Sequence, residues 1–210
     1  MEETNYERKR RGYSFFEQNR RRLSKALLVV AALVIILTRG SLTDCDSGKL
    51  VFFGGIVLII LGILGRVWAT MYIGGRKNAS LVQKGPYSLC RNPLYFFSFL
   101  GGLGATFVFG NILLILLFVG FFSVFYPKVI ESEEGRLRTY FGDEFDLYKA
   151  STPAFFPNPM RLDLGEKDDI STVRVWKNML DSSAFLLAVP LSLVIDHLHD
   201  GGWLPTLLTF

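Results

Sequence analysis

Cysteine and histidine are scarce in this 210-residue sequence, with two of each. Two cysteines are too few for a disulfide framework or a cysteine-ligated zinc site. The sequence also has no glycine-rich phosphate loop after a strand, no His-Glu-x-x-His motif and no convincing Ser/His/Asp set. These absences argue against P-loop, zinc-protease and serine-hydrolase chemistry.

Charged residues are missing from four long apolar stretches, residues 26–37, 50–65, 94–109 and 112–126. With their flanking residues, each approaches the roughly 20 residues that a spanning helix needs. A fifth apolar segment, residues 184–195, is short and interrupted by Pro190, so it could span or lie in the interface. The pattern predicts an all-α, polytopic membrane protein with about four to five transmembrane helices.

Basic residues are concentrated at one side of the predicted membrane. Residues 1–25 hold eight Lys or Arg against four acids, and residues 66–93 hold five basic residues and no acid. The positive-inside rule then places the N-terminus and residues 66–93 in the cytosol of a multi-pass protein, in the bacterial inner membrane or the endoplasmic reticulum. We expect the basic arm to contact anionic lipid rather than nucleic acid. This topology puts Cys45 and Cys90 on opposite sides, where they cannot pair.

Four segments follow from this pattern. Residues 1–25 form a basic cytosolic arm, and residues 26–65 form a first transmembrane hairpin. Residues 66–157 form a core that contains a second transmembrane hairpin and a charged cytosolic helix. Residues 158–210 form a C-terminal appendage with a short apolar helix. Glycines recur on the predicted helices, where small residues allow close helix packing.

The stretch from residue 85 to residue 93 predicts a turn followed by a helix start. Gly85-Pro86 is a turn signal. Asn92-Pro93 has the form of an N-cap residue followed by proline at the first helical position. We therefore expect a helix to begin on the cytosolic side at this point, with its free N–H groups directed toward the cytosol.

Arg91, Tyr87 and Tyr95 surround that predicted helix start. A helix N-terminus beside an arginine can bind an anion, and two tyrosine rings can bind an aromatic or cationic ligand. The same residues also fit a capped helix, an arginine that snorkels to lipid phosphate and an interfacial aromatic belt. Residue types alone leave both interpretations open.

The sequence contains two further clusters of polar residues. Glu133 and Glu134 stand three and four residues before Arg136 and Arg138, which is typical of a solvated helix with salt bridges. A carboxylate here could instead accept ligand hydroxyl groups or balance a cation. Residues 196–200, Asp-His-Leu-His-Asp, contain both histidines, and we interpret them as a polar helix end rather than a metal site.

Taken together, these motifs resemble the isoprenylcysteine carboxyl methyltransferase family, which is related to the phospholipid N-methyltransferases. The resemblance covers about residues 60–157. It rests on Gly85-Pro86-Tyr87, residues 91–95 (Arg-Asn-Pro-Leu-Tyr), the glutamate pair at 133–134, residues 141–145 (Phe-Gly-Asp-Glu-Phe) and Tyr148.

The resemblance implies an integral membrane methyltransferase that uses S-adenosylmethionine from the cytosol and methylates a lipidic or small hydrophobic acceptor. It implies no metal, and Arg91, Tyr95 and Glu133 are the candidates for positioning the reactants. The cofactor contacts that it implies are Ala79, Ser80, Leu81, Val82, Tyr87, Asn92, Pro93, Leu94, Tyr95 and Glu133.

The sequence departs from the family pattern at two positions. The family's usual histidine is Asn92 here, which keeps hydrogen bonding but has no titratable group. The arginine that binds an acceptor carboxylate in prenylcysteine methyltransferases corresponds to Val129, which argues against a prenylcysteine acceptor. Two alternatives remain: an NADPH-dependent membrane reductase of the steroid-reductase type, and a non-catalytic membrane scaffold.

Overall fold

The computed structural model describes residues 15–40, 42, 46–73, 80–165 and 172–209. Most of the predicted basic arm, Cys45 and the predicted cofactor contact Ala79 lie outside these residues. The all-α prediction is confirmed.

Eight α-helices follow one another along the described chain: α1 (Phe15–Leu37), α2 (Asp46–Ile73), α3 (Pro86–Leu89), α4 (Pro93–Val108), α5 (Ile112–Phe141), α6 (Asp143–Ser151), α7 (Thr172–Ser183) and α8 (Ala188–Asp200). Two short 3-10 helices cover Pro159–Arg161 and Ala184–Leu187. Strands β1 (Thr38–Arg39) and β2 (Leu208–Thr209) pair in parallel.

Among the described residues, three helical stretches are long and apolar enough to cross a membrane: Gly48–Ile73, Ile112–Phe141 and Thr172–Asp200. Helix α4 is apolar but shorter, and α1 contains the apolar run 26–37 after a basic first part. The chain is therefore a polytopic membrane protein.

The predicted short apolar helix of the C-terminal region is present as α8, which the 3-10 helix Ala184–Leu187 joins to α7 in a 29-residue helical run, Thr172–Asp200. The expectation that the fourth membrane helix ends at about residue 126 was wrong, because α5 continues through Pro127 to Phe141. Proline inside an apolar helix removes one backbone hydrogen bond without ending the helix when its surroundings compensate.

The ends of α1 and α8 and the start of α5 meet at one end of the bundle. Asn111 caps α5 with its side-chain oxygen and donates through Nδ2 to the Thr38 hydroxyl at 2.7 Å. Arg39 pairs with Asp200 at 2.8 Å, and His199 lies 3.2 Å from the Ile35 carbonyl oxygen. Helices α3 and α6 lie at the opposite end, which we call the site end.

Helices α2 and α4 pack closely along a seam of glycines. A Cβ atom at Gly104 would lie 2.5 Å from the carbonyl oxygen of Gly55, and one at Gly62 would lie 2.6 Å from the backbone nitrogen of Gly101. These distances are shorter than a Cβ contact allows, so the two backbones approach this closely only because side chains are absent. The predicted packing role of these glycines is confirmed.

Arg66 connects α2 to both α4 and α7. Its Nε donates to the Ser182 hydroxyl at 2.8 Å, and its Nη1 donates to the Ser98 hydroxyl. Ser98 in turn donates to the Leu94 carbonyl at 2.6 Å, one residue after the start of α4. A charged side chain in a spanning helix needs such polar partners, and this one fixes the C-terminal helical run against the core.

Candidate functional site

The predicted turn and helix start are both present at the site end. Gly85 has φ of +61°, and α3 begins directly after it at Pro86. A Cβ atom at Gly85 would lie 2.4 Å from the ring of Tyr72, so this position requires glycine for both conformation and space. Helix α4 begins at Pro93, as predicted.

Asn92 occupies the N-cap position of α4, but its side chain does not cap the helix. Its Nδ2 donates to Oε1 of Glu134 at 3.3 Å and to the carbonyl oxygen of Ala154 at 3.0 Å. The capping role predicted for Asn92 is therefore wrong. The buried amide nitrogen instead joins α4 to α5 and to the segment after α6, whereas a cap would need the amide oxygen to accept from the helix N–H groups.

Arg91 and Glu134 form a nearly buried ion pair. Nε and Nη2 of Arg91 lie 2.8 and 3.2 Å from the two carboxylate oxygens of Glu134. Lys149 on α6 lies 3.2 Å from the same carboxylate. The predicted pairing of Glu134 with Arg138 is wrong, because Arg138 pairs with Asp146 at 2.9 Å. The Arg91 guanidinium is occupied by these partners, whereas the sequence left open whether it binds an anion or lipid phosphate.

Tyr95 and Glu133 form a second link between α4 and α5. The Tyr95 hydroxyl donates to Oε2 of Glu133 at 2.8 Å. Glu133 is adjacent to Glu134 on α5, and Tyr95 stands four residues after Arg91, inside the first turn of α4. The first turn of α4 is therefore held to α5 by two adjacent glutamates.

Nine of the ten predicted cofactor residues line one cavity at this helix start, and Ala79 is outside the described residues. The nine are Ser80, Leu81, Val82, Tyr87, Asn92, Pro93, Leu94, Tyr95 and Glu133. Arg91, Ile73, Leu137 and Phe141 complete the wall.

The volume of this cavity is about 110 Å³. Ligand pockets usually enclose 300 Å³ or more, so a nucleoside-sized ligand enters only if the wall moves. Ile73 and Ser80 both lie in the wall, and the six residues that join them are outside the described part of the chain.

Tyr87 presents an unpaired hydroxyl at this cavity. It is the one buried side-chain polar atom among the described residues that has no hydrogen-bond partner. Burial, followed by the nearby carboxylate of Glu133, raises the pKa of Tyr87 well above its usual value, so the hydroxyl stays protonated. A buried hydroxyl without a partner is the kind of group that a bound polar ligand would satisfy.

Cys90 and Tyr148 support the turn from behind. Burial raises the pKa of the fully buried Cys90 thiol to about 12. Burial also raises the pKa of Tyr148, whose hydroxyl donates to the Tyr87 carbonyl at 2.6 Å. Both groups are neutral at physiological pH, and they stabilise the backbone that carries Tyr87.

A second, larger cavity of about 690 Å³ lies on the other side of α5 and the first turns of α4. Its wall is mainly aromatic, with a charged group of residues toward the site end. The aromatic residues are Phe99, Phe122, Tyr126, Phe145, Phe155 and Phe156, and the charged residues are Glu131, Glu134, Arg138 and Lys149.

The two cavities share a wall. Tyr95 lines the small cavity, and its ring packs against Tyr126 of the large cavity with centroids 5.4 Å apart. Glu133 lines the small cavity, while its neighbour Glu134 lines the large one. A reactive group in either cavity would thus be separated from the other cavity by one layer of side chains.

Sequence patterns did not predict the part that Ala154, Phe155 and Lys149 have in this site. Residues 153–156 follow α6, and the Ala154 bond to Asn92 spans 62 positions along the chain, a separation that periodicity cannot reveal. The one sequence feature that could have indicated a buried role for this segment is the pair Phe155-Phe156 directly after a short charged helix.

Of the two positions where the sequence departs from the family pattern, Asn92 lines the small cavity, whereas Val129 and the two histidines line neither cavity. Val129 is 2% exposed and packs inside the helix bundle. His199 is bonded to Thr206 and to the Ile35 carbonyl at the end opposite the site. No group of three or more His, Cys, Asp or Glu side chains that could hold a metal ion occurs among the described residues.

Comparison with known proteins identifies the family. Residues 48–144 match the phospholipid methyltransferase family. The chain is 33% identical over 196 residues to the nickel-cobalt-cadmium resistance protein NccN of Alcaligenes xylosoxydans xylosoxydans, covering 92% of this chain and 90% of that protein. It is 40% identical over 161 residues to the cobalt-zinc-cadmium resistance protein CzcN of Cupriavidus metallidurans, covering 74% of this chain and 71% of that protein.

A more distant relative carries an enzyme name. The protein-S-isoprenylcysteine O-methyltransferase of Schizosaccharomyces pombe is 33% identical over 81 residues, or 39% of this chain and 34% of that protein. No solved structure matches the chain. The family match and the two relatives that are covered over more than two thirds of their length show that this chain belongs to the phospholipid methyltransferase family of membrane proteins.

Proposed function

We propose that this protein is an S-adenosylmethionine-dependent methyltransferase that acts on a lipidic or small hydrophobic acceptor. Family membership and the distant isoprenylcysteine methyltransferase support a membrane methyltransferase. The observation that carries the proposal is the arrangement of two cavities with a common wall. The small cavity gathers nine residues predicted to contact the cofactor, and the large cavity is aromatic.

The residues of the small cavity suit the polar parts of S-adenosylmethionine. The positive end of the α4 dipole favours a carboxylate, and the unpaired Tyr87 hydroxyl offers a hydrogen bond. The carboxylate of Glu133 can accept a bond from an amine or ribose hydroxyl. When bound, this cofactor supplies a methyl group already activated on a sulfonium.

The chain's own contribution to such a reaction is positioning and exclusion of water. Holding two reactants in register can lower a barrier by on the order of 7–11 kcal/mol. Tyr95 and Tyr126 form the partition between the two cavities, and Glu133 and Phe122 contact their hydroxyl and ring. Methyl transfer would require these two rings to move aside, so that the acceptor atom reaches the methyl group. The aromatic cavity beyond would hold the apolar part of the acceptor.

We further propose that the site end faces the cytosol. Residues 66–93, which run from the last turns of α2 to the start of α4, carry five basic residues and no acid. Loops of this composition remain on the cytosolic side. A soluble cofactor would then reach the small cavity from the cytosol, and an acceptor would reach the large one from the bilayer.

A second proposal comes from the names of the relatives. Two proteins that are 33% and 40% identical to this chain are named metal resistance proteins. We propose that the methylation supports tolerance of divalent metals. Growth of a deletion strain on nickel, cobalt and cadmium would test this proposal, since complementation by the native gene but not by a Glu133→Gln gene would link tolerance to the site.

The decisive experiment measures equilibrium binding of S-adenosylmethionine, and separately of NADPH, to the purified protein in lipid nanodiscs. Asp143→Asn, an exposed site on α6 outside both cavities, is the control variant. Binding of S-adenosylmethionine alone, weakened by Glu133→Gln but not by Asp143→Asn, is the expected result. Binding of NADPH alone would favour a reductase, and binding of neither ligand would favour a non-catalytic scaffold.

A further inference from the structure

The segment that follows α6, residues 153–165, runs as a strap across the turn that carries the small cavity. The Asn158 backbone nitrogen donates to the Leu89 carbonyl at 2.9 Å, and the Gly85 nitrogen donates to the Asp163 carbonyl at 2.6 Å. The Asp163 nitrogen donates to the Ser88 hydroxyl at 3.0 Å. The polar backbone of the strap is therefore directed inward to the protein.

The strap also has fewer backbone donors than an ordinary loop of its length. Proline has no N–H group, and the strap contains Pro153, Pro157 and Pro159. Irregular backbone is costly near hydrocarbon because its polar groups lose water. The strap avoids much of this desolvation cost, because its backbone hydrogen bonds are directed to the protein and three of its residues have no N–H group.

The outward side chains of the strap are large and apolar. Met160 is 94% exposed, Phe156 is 73% exposed, and Leu162 and Leu164 are each at least half exposed. Arg161 stands between them, and the one acid of the strap, Asp163, is paired with Lys84. A contiguous apolar patch with a basic residue is unusual on a surface that faces water.

The first part of α7 shows the same composition on one face. Val173, Trp176 and Leu180, at helical spacing, are all more than half exposed. Arg174 and Lys177 are exposed on the same helix. An amphipathic helix with tryptophan on its apolar face and basic residues beside it is typical of the membrane interface.

We propose that the strap and the first half of α7 lie in the lipid–water interface at the site end, against an anionic bilayer surface. The surface consists of Phe156, Met160, Leu162, Leu164, Val173 and Trp176. It continues directly into the helical run Thr172–Asp200, whose 29 residues exceed the roughly 20 that the hydrocarbon core needs. Arg161, Arg174 and Lys177 complement acidic headgroups.

This placement has a consequence for the large cavity. Ala154, Phe155 and Phe156 of the strap belong to its wall. A strap held in the interface sets the mouth of that cavity at the level of the headgroups. The inference concerns contact with lipid and does not depend on the proposed methyl transfer.

The test measures the membrane depth of a fluorophore attached to the strap. Met160→Cys and Phe156→Cys are made with Cys45→Ser and are labelled with nitrobenzoxadiazole, while the native Cys90 is fully buried. The protein is placed in nanodiscs of phosphatidylcholine and phosphatidylglycerol that contain lipids with a doxyl quencher near the headgroup. Asp143→Cys, an exposed position at the same end, is the matched control.

We expect a blue-shifted emission and strong loss of fluorescence at positions 160 and 156, with little loss at position 143. Insertion of about 5–10 Å below the headgroups is typical of such surfaces. Removing phosphatidylglycerol should reduce the quenching at position 160, because the basic residues then lose their partners. Equal quenching at positions 160 and 143 would place the strap in water and overturn the proposal.

Discussion

The side chain of Asn92 donates two hydrogen bonds through one buried amide nitrogen. Its amide nitrogen donates to the Glu134 carboxylate and to the Ala154 carbonyl while it is 8% exposed. Because the amide is neutral, it adds a hydrogen-bond donor beside the buried Arg91–Glu134 pair and leaves the net charge of this buried group unchanged. Asn92 thus has a structural reason to be present that does not require a titratable group at this position.

Replacing Asn92 tests that reasoning. We expect Asn92→Ala to lower the free energy of unfolding by about 1–3 kcal/mol, because two buried acceptors each lose a donor. Asn92→Asp should destabilise more, because it places a second carboxylate beside Glu134. Thermal unfolding in detergent measures both, and an equal loss for the two variants would contradict the charge argument.

Glu133 and Tyr95 lie where the proposed cofactor and acceptor meet. We expect Glu133→Gln to weaken S-adenosylmethionine binding about tenfold, equivalent to about 1.4 kcal/mol, because a charged acceptor becomes neutral. Tyr95→Ala should weaken it as well, because the partition between the cavities loses its ring. Calorimetric titration measures both. Unchanged affinity in both variants, with the native melting temperature, would remove this site assignment.

The buried thiol of Cys90 gives a defined dependence of stability on pH. Its pKa is about 12 in the folded protein and about 8.5 in an unfolded chain. Below pH 8.5 both states hold the proton and the thiol contributes no pH dependence. Above that pH the unfolded state loses its proton first, so stability falls as the pH rises toward 12.

Cys90→Ala should flatten the decline in melting temperature between pH 8.5 and about 10, where tyrosines begin to titrate. Tyr87 and Tyr148 have raised pKa values as well, so they continue the decline above that range in both proteins. If the melting temperature of the variant were lower but declined with pH as steeply as that of the native protein, the thiol would not be the cause of the decline.

At the scale of the elements, the glycine seam between α2 and α4 offers a matched pair of substitutions. A Cβ atom at Gly55 would lie 2.8 Å from the Gly104 carbonyl oxygen, whereas one at Gly54 would meet no atom within 4 Å. We expect Gly55→Val to separate the helices and to cost about 1–3 kcal/mol, and Gly54→Val to change stability little. The melting temperatures of the two variants, measured in the same detergent, test this expectation. Similar values for both variants would contradict close packing of α2 and α4 at Gly55.

The sequence predicted where helices exist better than where they end. The start of α4 at Pro93 was predictable because proline and a turn give local signals. The continuation of α5 beyond Pro127 was not, since a proline ends or preserves a helix according to neighbours that are distant in sequence. The run Thr172–Asp200 was underestimated because its first half is amphipathic, and a search for apolar runs omits such a segment.

At the scale of the whole molecule, the long helical segments of the described chain run between the site end and the opposite end of the bundle an odd number of times. Helices α1, α2, α4 and α5 alternate in direction, and the run Thr172–Asp200 returns to the end where Arg39 meets Asp200. The two termini of the described chain therefore belong to opposite ends.

Cysteine labelling checks this arrangement. In a Cys45→Ser background, Glu144→Cys at the site end and Trp203→Cys at the other should react with an impermeant maleimide from opposite faces of sealed vesicles. Trp203 is 80% exposed, so the reagent can reach that position. Reaction of both positions from one face would indicate an even number of crossings.

The residues that line the candidate site were predictable from the sequence, but the hydrogen bonds and ion pairs between them were not. Local motifs and the family resemblance predicted the residues that line the small cavity, because turn and helix-start signals lie close together in sequence. The partners of Arg91 were not predictable, since Glu134 is 43 positions away and helical spacing suggested Arg138 for that glutamate. Pairing across the bundle depends on packing that no single stretch of sequence encodes.

The partition of Tyr95, Tyr126 and Phe122 is also a coupled set of chromophores. The rings of Phe122 and Tyr126 are stacked with centroids 3.9 Å apart and planes 10° apart, and Tyr95 meets Tyr126 at 70°. Rings fixed in a chiral arrangement produce near-ultraviolet circular dichroism, which is lost when packing loosens. Tyr95 borders the small cavity and Tyr126 borders the large one. The near-ultraviolet circular dichroism of the protein should therefore change when a ligand enters either cavity. The measurement needs no label and can be made before the acceptor is known.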